Sequence, residues 1–148
     1  MSQDSIEREI TVAAPVERVW RTLTDPEQMK VWFSASKPPE LDLRPGGVMT
    51  LHYPHGSFPS LIVDVDPPRR FAYRNASAWP GELADESNST LVEFTLEPQG
   101  EGTLLRVVES GFDSVKVPEG GAGAASYESH ANGWPWLLQG LAKLAERH

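Results

Sequence analysis

The feature that most constrains this chain is a change in the period of its apolar residues. In the middle of the chain, apolar and polar side chains alternate in short runs, which is typical of half-buried strands. In the tail the spacing becomes helical, and one apolar stripe is formed by Tyr127, Ala131, Trp134, Leu137, Leu138, Leu141, Leu144 and Ala145. Strands followed by a long amphipathic helix predict the α+β class.

Turn signals divide the middle of the chain into separate strands. They stand at Pro45-Gly46-Gly47, His55-Gly56, Pro67-Pro68 and Gly100-Glu101-Gly102. A first strand is predicted where Ile6, Ile10 and Val12 alternate with polar residues. Six more strands are predicted near residues 40–44, 47–54, 58–66, 69–75, 89–97 and 103–112. Short turns between consecutive strands favour an antiparallel meander.

Two short helices are predicted after the first strand. Pro15 suits a first helical turn, and apolar residues from Val16 to Leu23 follow at helical spacing. Asp25, Pro26 and Gln28 then supply a cap, a first-turn proline and a reciprocal capping residue for the second helix.

Pro135 falls inside the apolar stripe of the tail. A proline there removes one amide and clashes with the carbonyl four residues earlier. Two interpretations are open: a long helix that kinks at Pro135, or a shorter helix that begins near Asn132. We favour the long kinked helix.

The composition indicates one globular domain over residues 1–148. Hydrophobic residues make up 39% and charged residues 23%, which is a globular rather than a disordered balance. The length is typical of a single domain. The absence of cysteine excludes disulfides, thiolate zinc sites and cysteine nucleophiles.

The charge balance disfavours polyanionic partners. Thirteen basic and 21 acidic residues give a formal net charge of −8, whereas nucleic-acid affinity depends on Lys and Arg neutralising phosphates. The same sign argues against adhesion to an anionic membrane. No apolar run approaches the roughly 20 residues of a membrane span, and the first residues are polar and acidic. We therefore expect a soluble, cytoplasmic protein with no nucleic-acid or membrane partner.

Several motifs resemble one known family. They are Ala14-Pro15-Val16-Glu17-Arg18-Val19-Trp20, Leu23-Thr24-Asp25-Pro26-Glu27, Trp32, Gly46-Gly47, Asp66-Pro67-Pro68-Arg69-Arg70 with Tyr73, Val92-Glu93-Phe94-Thr95-Leu96, Ser110-Gly111-Phe112 and Gly133-Trp134. In this order they resemble the activator-of-heat-shock-protein-90-ATPase-like family of the START/SRPBCC, or helix-grip, superfamily. The resemblance implies a curved antiparallel sheet of six to seven strands that grips a long C-terminal helix, often with a hydrophobic cavity between them. The chain departs from the family pattern at Asn75, where an aromatic residue is common, and at Pro135.

Strand alternation singles out one carboxylate. Leu105, Val107 and Glu109 share one parity, so Glu109 faces the core if Leu105 does. A buried glutamate is uncommon unless it is paired, and in a cleft it is a functional candidate. The alternative is that Glu109 sits at the strand end and reaches solvent or a neighbouring arginine.

The same parity predicts which side chains face the interior. Tyr53 and Tyr73 would bring hydroxyls into an apolar space, or would be ordinary core tyrosines. Trp136 is a further candidate for the cavity mouth, whereas Trp20 is expected to pack a helix against the sheet. The predicted ligand-binding set is Trp32, Met49, Leu51, Tyr53, Val63, Phe71, Tyr73, Trp79, Phe94, Val107, Glu109, Trp134 and Leu138. Leu61 and Val65 are predicted to face inward with Val63.

Other chemistry has weak support in the sequence. His52, His55 and His130 show no metal-ligand spacing, so neither a metal nor another cofactor is expected. Ser126 and His130 lie four residues apart, but no third group completes a hydrolytic triad. The glycines at 120, 121 and 123 lack the lysine of a phosphate loop and are interpreted as a hinge.

Three functions from different classes follow. The first is binding of a small hydrophobic ligand, aromatic or lipid-like, between the sheet and the last helix. The second is a cyclase- or aromatase-like enzyme in which Glu109 and Tyr73 exchange protons with the substrate. The third is stimulation of a heat-shock ATPase as a co-chaperone. We favour the binding module over an enzyme, and a homodimer formed through Trp79 and residues 117–123 is a further hypothesis.

Overall fold

A computed structural model describes residues 5–54, 56–75, 89–112 and 127–147 of the chain, with side chains from residue 130 in the last range. These residues form seven strands and three helices. The strands are β1 (Ser5–Val12), β2 (Lys37–Leu41), β3 (Val48–Tyr53), β4 (Gly56–Asp66), β5 (Arg70–Asn75), β6 (Thr90–Gln99) and β7 (Gly102–Ser110). The helices are α1 (Val16–Thr24), α2 (Pro26–Trp32) and α3 (Tyr127–Glu146).

All seven strands belong to one antiparallel sheet in the order β1-β7-β6-β5-β4-β3-β2. From β2 to β7, each strand pairs with its neighbour in sequence, which confirms the predicted meander. The first strand, β1, pairs with the last strand, β7, at the other end of the sheet order, and Ile6 lies opposite Glu109. The helices cover one face of the sheet, which we call the inner face. The α+β helix-grip architecture is therefore confirmed.

Asp25 joins the two short helices and caps the second as predicted, whereas Gln28 does not make the reciprocal bond, because the Asp25 backbone N–H is already bonded within α1. Its backbone N–H bonds to the carbonyl of Arg21 at the end of α1. Its side chain accepts hydrogen bonds from the Glu27 N–H at 3.1 Å and from Gln28 Nε2 at 3.4 Å. One residue thus ends α1 and caps α2.

The last helix is continuous through Pro135, so it does not begin near Asn132, and the kink at Pro135 stays a prediction. It packs on β1, α1 and α2. The Glu146 carboxylate accepts a hydrogen bond from the Ala13 N–H at 2.8 Å, which ties the end of α3 to the turn after β1. The apolar stripe is buried at Trp134, Leu138, Leu141 and Ala145, and Ala142, outside the predicted stripe, is buried as well.

The second strand differs from its prediction, since β2 covers Lys37–Leu41 instead of residues 40–44. The later residues form the turn into β3, in which the Arg44 N–H bonds to the Asp42 carbonyl and the Gly47 N–H bonds to the Arg44 carbonyl, each at 2.9 Å. The strand tolerates its two prolines because it lies at the sheet edge.

The inward parity predicted for β4 is wrong over its first part. Ser60 and Ile62 are 0% and 1% exposed, whereas Val63 is 42% exposed and faces outward. A register shift against β5 between Ile62 and Asp64 changes the parity, so Val65 again packs on the core. Val63 is therefore removed from the predicted ligand-binding set, and the predicted inward position of Leu61 is also wrong.

Candidate functional site

Glu109 lies on the inner face of β7 and is 0% exposed. It continues the inward alternation of Leu105 and Val107, which are also 0% exposed. The prediction that this carboxylate faces the core is therefore confirmed. Burying an ionised carboxylate in an apolar interior costs roughly several kcal/mol unless hydrogen-bond donors offset the loss of water. The donors around Glu109 therefore determine whether it can be buried.

Three side-chain donors converge on the Glu109 carboxylate. Trp134 Nε1–H donates to Oε1 at 2.8 Å, and Thr90 Oγ1–H donates to Oε2 at 2.5 Å. His130 Nδ1 lies 2.8 Å from both oxygens. An ionised carboxylate can only accept, so this imidazole nitrogen carries its hydrogen toward Glu109. We call Thr90, Glu109, His130 and Trp134 the carboxylate cluster.

Strand pairing and helical spacing bring the four residues of the carboxylate cluster together. Val92 pairs with Glu109 across β6 and β7, so Thr90 lies diagonally opposite Glu109 on the same face. His130 and Trp134 are four residues apart on α3, so both side chains project from one face of the helix. The cluster therefore joins the last helix to the sheet through polar groups.

Tyr73 belongs to the same row of the inner face. It pairs with Val92, which pairs with Glu109, so the row crosses β5, β6 and β7. The ring is 1% exposed and lies 5.4 Å from the Phe71 ring and 6.4 Å from the Phe94 ring. Burial raises the pKa of Tyr73 well above its ordinary value, and the charge of Glu109 raises it further. The phenol therefore stays protonated over the physiological range.

Tyr53 is the second inward tyrosine. Its hydroxyl donates to the Phe33 carbonyl at 3.2 Å, just after the end of α2. Burial raises the pKa of Tyr53 to about 12.

The burial of both tyrosines predicts how the free energy of unfolding changes at alkaline pH. A tyrosine whose pKa is higher in the folded than in the unfolded chain leaves stability unchanged below about pH 10. Above that pH the free energy of unfolding falls, by up to about 1.4 kcal/mol per pH unit for each such tyrosine. At about pH 11, absorbance near 295 nm should show at most one phenolate in the folded protein, and denaturant should release all three tyrosines. Two or more phenolates in the folded protein at that pH would contradict the burial of Tyr53 and Tyr73.

Ser60 adds an unusual polar atom to the inner face. It is 0% exposed, and its Oγ has no hydrogen-bond partner within the described part of the chain. It pairs with the buried Met49 of β3, and Ile62, two residues further on, pairs with Tyr73. An unpartnered buried hydroxyl is rare and calls for an explanation. The inner face thus has a polar end, formed by Ser60, Tyr73, Thr90, Glu109, His130 and Trp134.

Beyond the polar end, the interior is lined by aromatic rings. The Trp134 ring meets Phe94 edge to face at 5.6 Å, and Trp32 meets Phe94 at 6.1 Å. Trp32 donates its indole N–H to the Thr22 carbonyl at 2.9 Å. Trp20 lies edge to face with Phe71 at 6.5 Å, as predicted for a helix-to-sheet contact. Buried or half-buried members of the predicted set are Trp32, Met49, Leu51, Tyr53, Phe71, Tyr73, Phe94, Val107, Glu109, Trp134 and Leu138.

Other predicted residues lie elsewhere. Trp136 is 61% exposed and, with Val31, borders a groove between α2 and α3 on the outer side. The groove holds about 180 Å³ and is lined by Val31, Trp32, Ser34, Trp136, Gln139, Gly140 and Lys143. That volume is below the roughly 300 Å³ of the smallest ligand pockets. Trp79, Ser126, His55 and residues 117–123 lie outside the described residues.

The sequence interpretation missed Ser60 and Thr90 and gave His130 no role. Their signal was weak, since one serine or threonine at a strand position is ordinary. His130 and Trp134 at helical spacing, opposite an inward glutamate, could have indicated the cluster.

His52 bonds through Nδ1 to Ser57 Oγ at 2.8 Å, and its Nε2 lies 3.4 Å from Glu40 Oε2. Across the described ranges, no three His, Asp or Glu side chains are placed to hold a metal ion.

None of the described helices combines the length and apolarity needed to cross a membrane.

Comparison with solved structures identifies the fold. Protein MLL2253 from Mesorhizobium loti superposes with a TM-score of 0.74 at 24% identity, covering 97% of both chains. The Aha1 dimer from Colwellia psychrerythraea gives 0.72 at 18% identity, covering 96% of both. DynU16, a protein in the dynemicin biosynthetic locus, gives 0.73 at 25% identity, covering 97% of this chain and 47% of its own.

Sequence comparison identifies the family. No curated protein matches the chain. The family model described as activator of Hsp90 ATPase homolog 1-like protein matches residues 13–146, which is nearly the whole chain. The chain therefore belongs to the activator of Hsp90 ATPase homolog 1-like family, within the START/SRPBCC superfamily.

Proposed function

We propose that the protein binds a small, mostly apolar molecule between the sheet and α3, with one polar group of that molecule at the polar end of the inner face. The observation that carries the proposal is the unpartnered, fully buried Ser60 hydroxyl on the face that also holds the Glu109 carboxylate. A few convergent polar groups in an apolar, aromatic setting are typical of ligand sites.

The chemistry of the lining indicates the kind of ligand. The rings of Phe71, Tyr73, Phe94 and Trp134 lie within 5.4–6.5 Å of their ring neighbours, so a flat aromatic body would find stacking and edge contacts. Ser60 Oγ can donate to or accept from a hydroxyl or amine on that body. A negatively charged ligand is disfavoured because Glu109 already places an anion there.

The comparisons support the same class of function. DynU16, at 25% identity, is described as a protein in the dynemicin biosynthetic locus, and such a locus makes a small molecule. The homodimer stays a prediction; the exposed apolar side chains of Val31 and Trp136 and the Aha1 dimer favour it. Co-chaperone action also stays a prediction, supported by the family's description alone.

Titration with 1-aminoanthracene tests the binding proposal. This neutral aromatic amine brightens in apolar surroundings, and we expect saturable binding to the wild-type protein at one site. Ser60→Leu should weaken the affinity at least about tenfold, because it fills the polar end and removes the hydroxyl. Trp136→Ala should leave the affinity within about twofold, because Trp136 borders the outer groove instead.

The two variants separate the two places where the probe could sit. Loss of binding in Trp136→Ala with no change in Ser60→Leu would place the probe in the groove between α2 and α3. That result, or the absence of saturable binding to the wild type, would contradict the proposal.

A further inference from the structure

The groove between α2 and α3 exposes two large apolar side chains. Trp136 is 61% exposed and Val31 is 58% exposed, and the two residues border the same groove. Its volume of about 180 Å³ suits one protein side chain better than a drug-sized ligand. Exposed apolar residues gathered around a groove are typical of a contact with another protein chain.

Gly140 lines this groove, and no contact within the described part of the chain explains it. A glycine inside a helix destabilises that helix relative to alanine. A Cβ atom at Gly140 would meet no atom within 4 Å, so the packing of α3 on the rest of the chain does not require a glycine. The missing side chain does allow a large group from outside to approach the backbone of α3 closely.

The charge of the groove favours a second copy of this chain as the partner. Two copies that each carry a formal net charge of −8 repel one another in most orientations. Among the described residues that line the groove, however, Lys143 is the one charged side chain, and none is acidic. A lysine ammonium is attracted to the face of an indole ring, so the groove carries both halves of a cation–π contact in Lys143 and Trp136.

The two halves stay apart within one chain and meet between two. Trp136 and Lys143 are seven residues apart, which is about 10 Å along a helix axis. Long side chains on a helix lean toward its N-terminus, so both lean in the same direction. When two α3 helices cross antiparallel, the Trp136 ring of one copy leans toward Gly140 and Lys143 of the other, and that Lys143 leans back toward its own Gly140. The ring and the ammonium therefore converge over the glycine.

We propose that this groove is the interface of a two-fold symmetric homodimer, in which the α3 helices cross antiparallel and Trp136 of each copy lies on Gly140 and Lys143 of the other. The two-fold axis forms each contact twice. Val31 supplies an apolar wall for each inserted ring. This surface differs from the one predicted from the sequence, which was Trp79 and residues 117–123. Because it lies outside the interior, dimerisation and ligand binding are tested separately.

Sedimentation velocity measures the monomer–dimer equilibrium. One helix pair and two grooves make a contact at the lower end of specific interfaces, so we expect a Kd of about 10–100 µM for the wild type. Trp136→Lys places two cations at each contact, and Lys143→Glu places an anion on each ring. Either change should raise the Kd at least about tenfold. Both positions are exposed, so both variants should fold as the wild type does.

A mixture of these two variants tests the crossed contact itself. In the mixed dimer, the lysine introduced by Trp136→Lys lies beside the glutamate introduced by Lys143→Glu, and the remaining Trp136 lies on the remaining Lys143. The mixture should therefore associate at least about tenfold more tightly than either variant alone. Val63→Lys, on the outer face of the sheet, is the matched control and should leave the Kd within about twofold.

Gly140→Gln supplies an independent variant with two opposite expected effects. Glutamine is a better helix former than glycine, so the thermal unfolding midpoint of the monomer should rise. Its side chain fills the groove, so the Kd of the dimer should increase at least about tenfold. Circular dichroism checks that each variant is folded.

Three results would overturn the proposal. The first is a wild-type protein that stays monomeric at about 500 µM, which would leave the groove for a segment of a different protein. The second is a dimer that is unaffected by Trp136→Lys, Lys143→Glu or Gly140→Gln, which would place the contact elsewhere. The third is a mixture of the two charged variants that associates no more tightly than its components, which would contradict the antiparallel crossing.

Discussion

Replacing Glu109 with alanine is expected to lower the free energy of unfolding by about 3–5 kcal/mol. The change leaves the buried donors of Thr90, His130 and Trp134 without their acceptor. Each unpaired buried donor costs about 1–3 kcal/mol, and the variant also leaves a cavity. Urea unfolding followed by tryptophan fluorescence measures the change.

Two further variants show whether the acceptor itself is responsible. Glu109→Gln keeps the shape but turns an N–H₂ group toward one of the donors, so we expect a smaller loss of about 1–3 kcal/mol. Glu97→Ala, at an exposed position of β6, should change stability by less than about 0.5 kcal/mol. If Glu109→Ala were as mild as Glu97→Ala, the carboxylate would not join α3 to the sheet.

Replacing Gly47 with alanine is expected to cost about 3 kcal/mol. A Cβ atom at this position would clash with the Asp42 carbonyl oxygen and would lie 3.0 Å from that of Arg44. Both obstacles are backbone atoms of the turn into β3, so they cannot move aside as a flexible side chain would. The turn is further fixed to β4, because the Gly46 N–H bonds to the Ile62 carbonyl at 2.8 Å.

Gly140 supplies the matched control. It lies in α3, and a Cβ there would meet no atom within 4 Å. Alanine should therefore stabilise the helix by about 1 kcal/mol. Equal effects of Gly47→Ala and Gly140→Ala in thermal unfolding would contradict the close packing of the Asp42–Gly47 turn.

Local rules predicted much of the fold. Alternation and turn signals predicted seven strands, since each half-buried strand repeats its apolar side with period two, but they placed β2 at residues 40–44 instead of Lys37–Leu41. The cap at Asp25 and the stripe of α3 were equally local. The side chain of Glu109 faces inward for the same reason, because parity continues from Leu105 and Val107.

Long-range contacts account for what the sequence interpretation missed. The register shift after Ile62 depends on how β4 meets β5, so alternation alone placed Val63 on the wrong face. Thr90, Glu109 and His130 are separated along the chain and meet only when α3 packs on the sheet. Ser60 had only a weak sequence signal, because what distinguishes it is a buried hydroxyl without a partner, and a sequence does not show that.

The carboxylate cluster relates the fold to the proposed function. The polar contacts that fix α3 on the sheet are also the polar end of the inner face. A buried charge with several donors can specify one arrangement of the helix, although apolar residues could pack as stably. We therefore expect that the buried carboxylate of Glu109 contributes to ligand binding rather than to stability.

The most direct test of the central claim is an indole N–H NMR titration with 1-aminoanthracene. The protein has five tryptophans, and Trp134→Phe and Trp136→Phe assign the two signals that matter. Trp134 Nε1–H bonds to Glu109 inside the molecule, whereas Trp136 is 61% exposed beside the outer groove. Binding between the sheet and α3 predicts that the Trp134 signal shifts with saturation and the Trp136 signal does not. A shift of the Trp136 signal alone, or of neither signal, would contradict it.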